Sequence, residues 1–218
     1  ARRWLDDCGS FHAACKPIGY IPTRLLSLKS LEQGFVRLSE AVDPTVKLQN
    51  GVQYCCLSYR WGAASMMTQL LKSNIAEFKS AIQVDGLPKT FRDAMIVASR
   101  LGIDFLWIDA LCIVQDSEDD WRAESSSMDA IFEGAACTIA AAGATDSHGG
   151  LFQTRNPMKL LRCRIPGTQV HVCAVFATLN VGEVTNNSPL SQRGWIFQER
   201  LLSCRTLSFG KNGLFWHC

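Results

Sequence analysis

The chain has 218 residues, 47% of them hydrophobic and 19% charged, and a formal net charge of +2. This composition is typical of a packed globular protein and excludes disorder over most of the chain. The 22 basic residues are scattered without a Lys or Arg run, which argues against nucleic acid as a partner. No stretch approaches the ~18–20 consecutive apolar residues that span a bilayer, and the N-terminus lacks the apolar core of a signal peptide. We therefore expect a cytoplasmic protein without a membrane span.

Three soft metal ligands lie near the start of the sequence, where residues 3–16 predict an amphipathic helix. Cys8, His12 and Cys15 are spaced so that all three can face one side of that helix. A structural zinc ion normally takes four ligands, and Cys218 or His217 could supply the fourth if the termini meet. Packing is the other interpretation, because several of the ten cysteines lie in apolar runs. A structural zinc site thus stays open, and we expect no cofactor to be required.

The next segments predict strands separated by helices. Residues 17–50 favour one or two edge strands with an Asp43-Pro44 turn, and residues 52–59 are apolar nearly throughout, as in a central strand covered on both faces. Helical patterns follow at 66–82 and 87–101, before the apolar strand 105–108. Strand, helices and strand in this order predict a crossover unit of a parallel sheet.

A carboxylate stands out in the helical pattern of residues 117–133. Glu124 falls on the same face as Trp121 and Met128, inside the apolar arc. Burying an ionised carboxylate without partners costs on the order of several kcal/mol. Glu124 must therefore be paired with a cation, be hydrogen-bonded, have a shifted pKa or be open to a cleft. A salt bridge to Arg122 or Arg92 at the edge of the core is one explanation, and a functional cleft is the other.

The second half of the chain is less purely α/β. A glycine-rich loop at 143–158 is followed by a β-hairpin pattern at 160–176 and a helical pattern at 188–202. Gly194 in that last pattern indicates a close approach by another group. Two short strands close the sequence at 205–209 and 214–217.

These elements predict one α/β domain over residues 1–218. A central, mostly parallel sheet flanked by helices forms the core at 51–145. Residues 1–50 add an N-terminal helix and edge strands, and residues 146–218 add the β-hairpin and a helix. The sequence begins without Met and stops within an apolar run, so we expect it to be one domain of a longer chain.

Five motifs carry a family resemblance, and they occur in a fixed order. They are residues 57–62 (LSYRWG), 87–94 (LPKTFRDA), 106–116 (LWIDALCIVQD), Trp121 with Glu124 and Met128, and 193–202 (RGWIFQERLL). Together they resemble the fungal heterokaryon-incompatibility (HET) domain over nearly the whole chain. The resemblance implies a cytosolic module that triggers regulated cell death after non-self recognition, usually as the effector part of a larger receptor.

HET domains are in turn thought to be distantly similar to Toll/interleukin-1 receptor (TIR) domains. That similarity implies a flavodoxin-like parallel sheet and, in many cases, hydrolysis of NAD. Ser58-Tyr59-Arg60 resembles the opening motif of TIR domains, and Trp121-x-x-Glu124 resembles the helix that bears their catalytic glutamate. NAD or a related nucleotide is therefore the expected substrate, with a homo-oligomer expected on activation. The alternative function is a self-associating adaptor without enzymatic activity that recruits cell-death partners.

The candidate site is defined by these resemblances and by the residues that follow the ends of the predicted strands. Glu124 would hold the ribose hydroxyls, an indole of Trp61 or Trp195 would stack on nicotinamide, and Arg60 or Arg193 would hold the diphosphate. The candidate catalytic residues are Glu124, Asp109 and Ser58. The candidate nucleotide-binding residues are Arg60, Trp61, Gly62, Cys112, Gln115, Trp121, Arg193, Trp195 and Gln198.

Three of these positions have a second interpretation. Asp109 could cap a helix or turn. Cys112, between Leu111 and Ile113, is typical of a buried, inert thiol. Either Gln198 or its neighbour Glu199 could reach the cleft, although a solvated helix face would give the same pattern.

Overall fold

The computed structural model of the chain describes residues 1–41, 52–62, 68–154, 162–164, 171–173, 188–192, 196–211 and 213–218. Ten strands lie within these ranges: β1 (Arg24–Ser27), β2 (Phe35–Glu40), β3 (Tyr54–Ser58), β4 (Ile82–Gln83), β5 (Phe105–Trp107), β6 (Cys137–Ala140), β7 (Arg162–Arg164), β8 (His171–Cys173), β9 (Thr206–Phe209) and β10 (Leu214–His217). The same ranges contain seven α-helices: α1 (Arg2–Phe11), α2 (Ile75–Ser80), α3 (Lys89–Arg100), α4 (Asp109–Cys112), α5 (Glu118–Ser126), α6 (Met128–Gly134) and α7 (Ile196–Leu202).

The main sheet has eight strands in the order β10-β9-β6-β3-β5-β1-β2-β4. The expected α/β class is confirmed, but the expectation of a mostly parallel sheet is wrong. Only the pairs β9-β6, β6-β3 and β3-β5 are parallel within this described sheet. The other four pairs are antiparallel, because β1 inserts beside β5 in reverse direction and brings β2 and β4 with it, while β10 folds back on β9.

The parallel strands form the centre of the sheet. Taken in chain order, β3, β5, β6 and β9 stand in the spatial order 2-1-3-4, which is how a flavodoxin-like sheet begins. All five residues of β3 are buried, as expected of a strand covered on both faces. The chain leaves β3 toward β5 and then returns to β6 on the other side. This reversal places a topological switch point at the carboxyl end of β3.

Helix α3 illustrates how local sequence sets the boundaries. Pro88 is its N-cap, and Phe91, Met95 and Ala98 on its buried side are fully inaccessible. The helix ends in a Schellman motif, since Ile103 N donates to Ala98 O and Gly102 N donates to Ser99 O. Gly102 has the left-handed φ of 75° that this motif requires.

The loop after β6 is held by α3. The backbone N–H of Leu151 donates to Asp93 Oδ2 at 2.7 Å, and that of Gly150 donates to Thr90 Oγ1 at 3.0 Å. Thr90 N in turn donates to Ser147 O at 3.0 Å. These bonds fix the polar loop that the glycines predicted, and they set the position of Asp146 beside Gly62.

Some predicted elements are shorter or divided. The 66–82 pattern yields only α2 among described residues, followed by β4, and the 117–133 helix is divided at Ser127 into α5 and α6. The 188–202 pattern gives a 3-10 turn at Pro189–Gln192 and then α7. The Asp43-Pro44 turn and Gly194 lie outside the described residues.

Other expectations are confirmed within the described ranges. Strands β7 and β8 pair antiparallel, as the hairpin pattern indicated. The side chains of Cys55, Cys56, Cys112 and Cys137 are fully inaccessible, and each is a free thiol. None of the helices described here combines the length and apolar character needed to cross a bilayer.

Candidate functional site

The carboxylate of Asp109 lies just after β5 and binds donors from two segments. Tyr59 Oη donates to Asp109 Oδ1 at 2.8 Å, and Trp61 Nε1 donates to Oδ2 at 2.5 Å. The backbone N–H of Ala110 also donates to Oδ1, at 2.7 Å, so Asp109 binds the first turn of α4, although the N-cap of that helix is Ile108. It does more, because it fixes the segment that follows β3 and orients the Trp61 indole.

A cleft opens beside Asp109 at the carboxyl ends of β3 and β5. Its empty volume is about 540 Å³, open mouth included. We call it the tryptophan cleft, and it is lined by Trp61, Asp109, Ile113, Gln115, Trp121, Ser125, Met128 and Glu199. Two indoles and two carboxylates thus share one concave surface.

Gln115 and Trp121 form part of the wall of this cleft. Gln115 Nε2 donates to the carbonyl oxygens of Asp109 and Ile113, at 3.0 and 2.9 Å, so it holds the loop between α4 and α5 in place. Trp121 projects from α5 and is 50% exposed, unlike the other large residues near the cleft. An exposed indole at a cleft mouth is available to stack on a flat ligand.

A second cleft lies on the neighbouring part of the sheet, over β6, β9 and β10. Its empty volume is about 630 Å³, open mouth included. We call it the serine cleft, because six hydroxyl side chains line it: Ser58, Thr138, Ser188, Ser191, Thr206 and Ser208. Phe215 and Trp216 of β10 contribute apolar surface.

Glu199 of α7 lines both clefts. Ser58 Oγ donates to Glu199 Oε2 at 2.6 Å, and the two residues are only 4% and 6% exposed. A buried carboxylate that accepts a short hydrogen bond is held in one orientation. Open α/β sheets bind ligands outside the carboxyl ends of their strands at a topological switch point, and the Ser58–Glu199 pair occupies that position here.

Glu124 is buried, and its cationic neighbour is Arg24 of β1. Arg24 Nη2 lies 3.7 Å from Glu124 Oε1 and binds both oxygens of Asp120, at 2.6 and 2.5 Å. Arg24 Nε donates to Cys112 O at 2.7 Å. Burial raises the pKa of Glu124, while a hydrogen bond with Thr23 and the Arg24 charge oppose the rise.

Glu124 does lie in a salt bridge, but its partner is Arg24 and neither Arg122 nor Arg92. Arg122 pairs with Glu118 on the exposed side of α5 instead. Glu124 Oε2 has no hydrogen-bond partner among the described residues. Glu124 is not among the residues lining either cleft, although Trp121, Ser125 and Met128 of the same helical region line the tryptophan cleft.

The structure therefore brings four predicted site residues into one cleft: Trp61, Asp109, Gln115 and Trp121. Ser58 lies in the adjoining serine cleft. Arg60 and Gly62 are exposed where the chain leaves β3.

Cys112 lies in the core with no exposed surface, and burial raises the pKa of its thiol to about 12. A thiol that stays protonated at neutral pH is a poor nucleophile. Arg193 and Trp195 fall outside the described residues. Gln198 is described only as part of the backbone of α7.

The sequence pattern indicated little about two residues of this region. Gln198 and Glu199 were equal candidates in the α7 pattern, and the structure places Glu199, buried, beside Ser58. Arg24 was not singled out at all. A lone arginine in a strand of apolar residues, facing a helix with several acids, is the signal that could have identified it.

A group of metal-binding side chains lies away from both clefts. The ligand atoms of Cys8, His12, Cys15 and Cys218 all lie within 4.8 Å of one another, so this cluster could hold a metal ion. His12 and Cys218 are in contact, with Nδ1 and Sγ 3.4 Å apart.

Comparison with known families identifies the chain. A family model described as Heterokaryon incompatibility protein (HET) matches residues 54–199. The matched segment runs from the start of β3 to Glu199 and includes both carboxylates of the tryptophan cleft. No match is found among curated proteins or among solved structures. Because the matched segment covers more than half of the 218 residues, the chain belongs to the heterokaryon incompatibility (HET) family.

Proposed function

We propose that this HET domain is a cytoplasmic effector that triggers regulated cell death by hydrolysing NAD, or a related nucleotide, in the tryptophan cleft. One observation carries the proposal: two carboxylates, Asp109 and Glu199, and two indoles, Trp61 and Trp121, line one cleft at a topological switch point.

The reaction breaks the bond between the nicotinamide nitrogen and ribose C1′. The bonding electron pair leaves with nicotinamide, which becomes neutral, and water adds to C1′ and releases one proton. The products are nicotinamide and ADP-ribose. Positive charge develops on the ribose ring in the transition state, so a fixed carboxylate beside C1′ stabilises it, and the same carboxylate can accept the proton of the attacking water.

Glu199 has the properties needed for that carboxylate. It is buried, it reaches the tryptophan cleft, and the Ser58 hydroxyl orients it through a 2.6 Å hydrogen bond. A charge held in place before substrate binds needs no reorganisation during the reaction, which is the basis of electrostatic catalysis. Ser58 in this proposal positions Glu199 and does not react itself.

The remaining residues would bind the nucleotide. Asp109 fixes the Trp61 indole, which can stack on the cationic nicotinamide ring with Trp121 at the cleft mouth. Arg60 is exposed next to Trp61 and can pair with the diphosphate outside the cleft.

Glu124 has a different role in this proposal from the one that the helix motif implied. It lies beside Arg24 and behind the α5 residues that face the cleft. We propose that Glu124 supports the position of α5 and Trp121, and that Glu199 is the carboxylate at the reacting bond.

The test is NAD cleavage by the purified protein at high concentration, with nicotinamide and ADP-ribose measured by chromatography. We expect Glu199→Gln to lower the rate by about 100-fold or more, as removal of a fixed electrostatic group does. Glu118→Gln, an exposed carboxylate on α5, is the matched control and should retain the parent rate. Circular dichroism and thermal melting establish that each variant is folded.

Two outcomes would contradict the assignment. Full activity in a folded Glu199→Gln protein would exclude Glu199 as the reacting carboxylate. If a folded Glu124→Gln protein is inactive as well, that role returns to Glu124. If the parent protein leaves NAD intact, and expression of Glu199→Gln still kills fungal cells, the self-associating adaptor is the correct function. Size-exclusion chromatography of the same samples reports whether a homo-oligomer forms.

A further inference from the structure

The first and last described segments of the chain meet at the cysteine–histidine cluster. Cys8 is in α1, His12 follows that helix, and Cys15 ends the short 3-10 turn Ala13–Cys15. Cys218 follows β10, an edge strand of the main sheet. None of the four lies in the segment that the family model matches, residues 54–199.

The cluster has the dimensions of a tetrahedral metal site. Its four ligand atoms lie within 4.8 Å of one another, and His12 Nδ1 is 3.4 Å from Cys218 Sγ. In a zinc site with Zn–S bonds of about 2.3 Å, tetrahedral geometry puts neighbouring sulfur atoms about 3.8 Å apart. The side chains would thus have to move by no more than about 1 Å to reach that geometry.

The donor types select the class of metal. Three thiols and one imidazole are soft and borderline ligands, which suit Zn²⁺ in a closed structural site and do not suit Ca²⁺ or Mg²⁺. Four protein ligands leave no open position for water or substrate, so the site has the composition of a structural centre.

Arg205 supplies the charge that such a site needs. Its Nε lies 3.1 Å from Cys8 Sγ, and its Nη1 donates to Ala136 O at 3.1 Å, so the guanidinium is held in place beside the cluster. Three thiolates and one Zn²⁺ have a net charge of −1, which the buried Arg205 cation neutralises. Hydrogen bonds to ligating sulfurs from fixed partners of this kind orient the ligands and tune their affinity.

We propose that Cys8, His12, Cys15 and Cys218 bind one structural Zn²⁺ ion that fastens the N-terminal helix to the last strand of the sheet. The ion holds β10 in its position at the edge of the sheet. Because Phe215, Trp216 and His217 of β10 line the serine cleft, the ion also stabilises one wall of that cleft. The Trp4 and Trp216 rings, 6.4 Å apart between centroids, pack across the same junction.

The test is the zinc content of the purified protein, with Co²⁺ as a spectroscopic replacement. We expect about one zinc per chain, and after exchange the intense visible bands and thiolate charge-transfer bands of tetrahedral Co²⁺ with cysteine ligands. Cys15→Ser and Cys218→Ser should each reduce the bound zinc to a small fraction of the parent content and lower the melting temperature. Cys204→Ser is the matched control, because Cys204 is a partly buried free cysteine outside the cluster.

A second pair of variants keeps the proposal testable if a serine variant does not fold. His12→Cys preserves four ligands and should retain zinc, with the Co²⁺ bands shifted to those of a four-thiolate site, whereas His12→Ala should lose them. Three results would each overturn the proposal. They are parent protein that contains no zinc although the expression medium supplied it, full zinc content in folded Cys218→Ser protein, and a disulfide between two cluster cysteines detected by mass spectrometry. These readouts do not depend on NAD cleavage.

Discussion

The Ser58 hydroxyl donates a 2.6 Å hydrogen bond to the Glu199 carboxylate, 141 positions away in the chain. This bond joins the carboxyl end of the central strand β3 to helix α7. Both side chains are buried, so the pair sets the position of α7 as well as the orientation of Glu199.

Ser58→Ala should therefore destabilise the domain. The change removes a hydrogen bond to a buried charge, which costs about 1–3 kcal/mol. Urea denaturation measures the loss in free energy of unfolding. Ser10→Ala on exposed α1 is a control that should change it by less than about 0.5 kcal/mol. Equal stabilities of the Ser58→Ala and parent proteins would show that the pair does not hold α7.

Arg24 should matter more to stability than either of its carboxylate partners. Arg24→Met leaves Asp120 and Glu124 facing each other without their cation, and breaking a buried ion pair in this way costs about 3–5 kcal/mol. Glu124→Gln keeps the Arg24–Asp120 pair and should cost far less. Thermal melting of both variants tests the ranking.

Arg37→Met on the adjacent strand β2 is the control for the loss of an arginine. Arg37 is exposed and donates only to Ser80 O among the bonds described. We expect a change within about 1 kcal/mol. If Arg37→Met destabilises the protein as much as Arg24→Met does, burial of the Arg24 ion pairs is not the cause of the destabilisation.

The raised pKa of Glu124 predicts a pH dependence of stability. Its ordinary value is 4.5, and burial raises the pKa in the folded state, so the folded protein binds this proton more tightly than the unfolded chain does. The resulting stability is fully present below pH 4.5 and is lost as the pH rises through the folded pKa. The stability of Glu124→Gln relative to the parent should therefore fall as the pH is lowered from neutral toward 4.5. Denaturation curves at several pH values measure this difference, and the opposite slope would contradict it.

Gly62 should tolerate no side chain. Its φ is 85°, and a Cβ there would lie 2.9 Å from Asp146 Cβ, so Gly62→Ala combines a left-handed backbone cost of about 1–2 kcal/mol with a steric clash. We expect loss of stability and displacement of the loop beside Trp61. Gly86→Ala is the control, since a Cβ there meets no atom within 4 Å. Urea denaturation should separate the two variants by at least about 1 kcal/mol.

The central part of the fold could be predicted because its signals are local. Strands β3 and β5 are apolar nearly throughout, α3 has a Pro88 start and a Gly102 end, and their order indicates a crossover. The antiparallel half could not be predicted, because β1 pairs with β5 through contacts such as Leu26 with Leu106, and no local pattern specifies the edge that an early strand joins.

The candidate site divides in the same way. Asp109, Trp61 and Gln115 follow strand ends, and strand ends of a parallel sheet meet at one edge, so their proximity followed from the predicted order. The helical pattern indicated Arg122 or Arg92 as the partner of Glu124, whereas Arg24 reaches it from a strand whose position was not predictable. The Ser58–Glu199 contact likewise depends on where α7 packs.

The contact between Cys8 Sγ and Arg205 Nε spans 197 positions, and it has a consequence for biosynthesis. At about 5–20 residues per second, a ribosome needs roughly 10–40 s to add that much chain. Over that interval Cys8 lacks Arg205 and Trp4 lacks Trp216, although Gly102, which lies against Arg2, has already been synthesised. Completion of this domain is therefore a late event in translation, which delays any activity that depends on the closed structure until the whole segment has emerged.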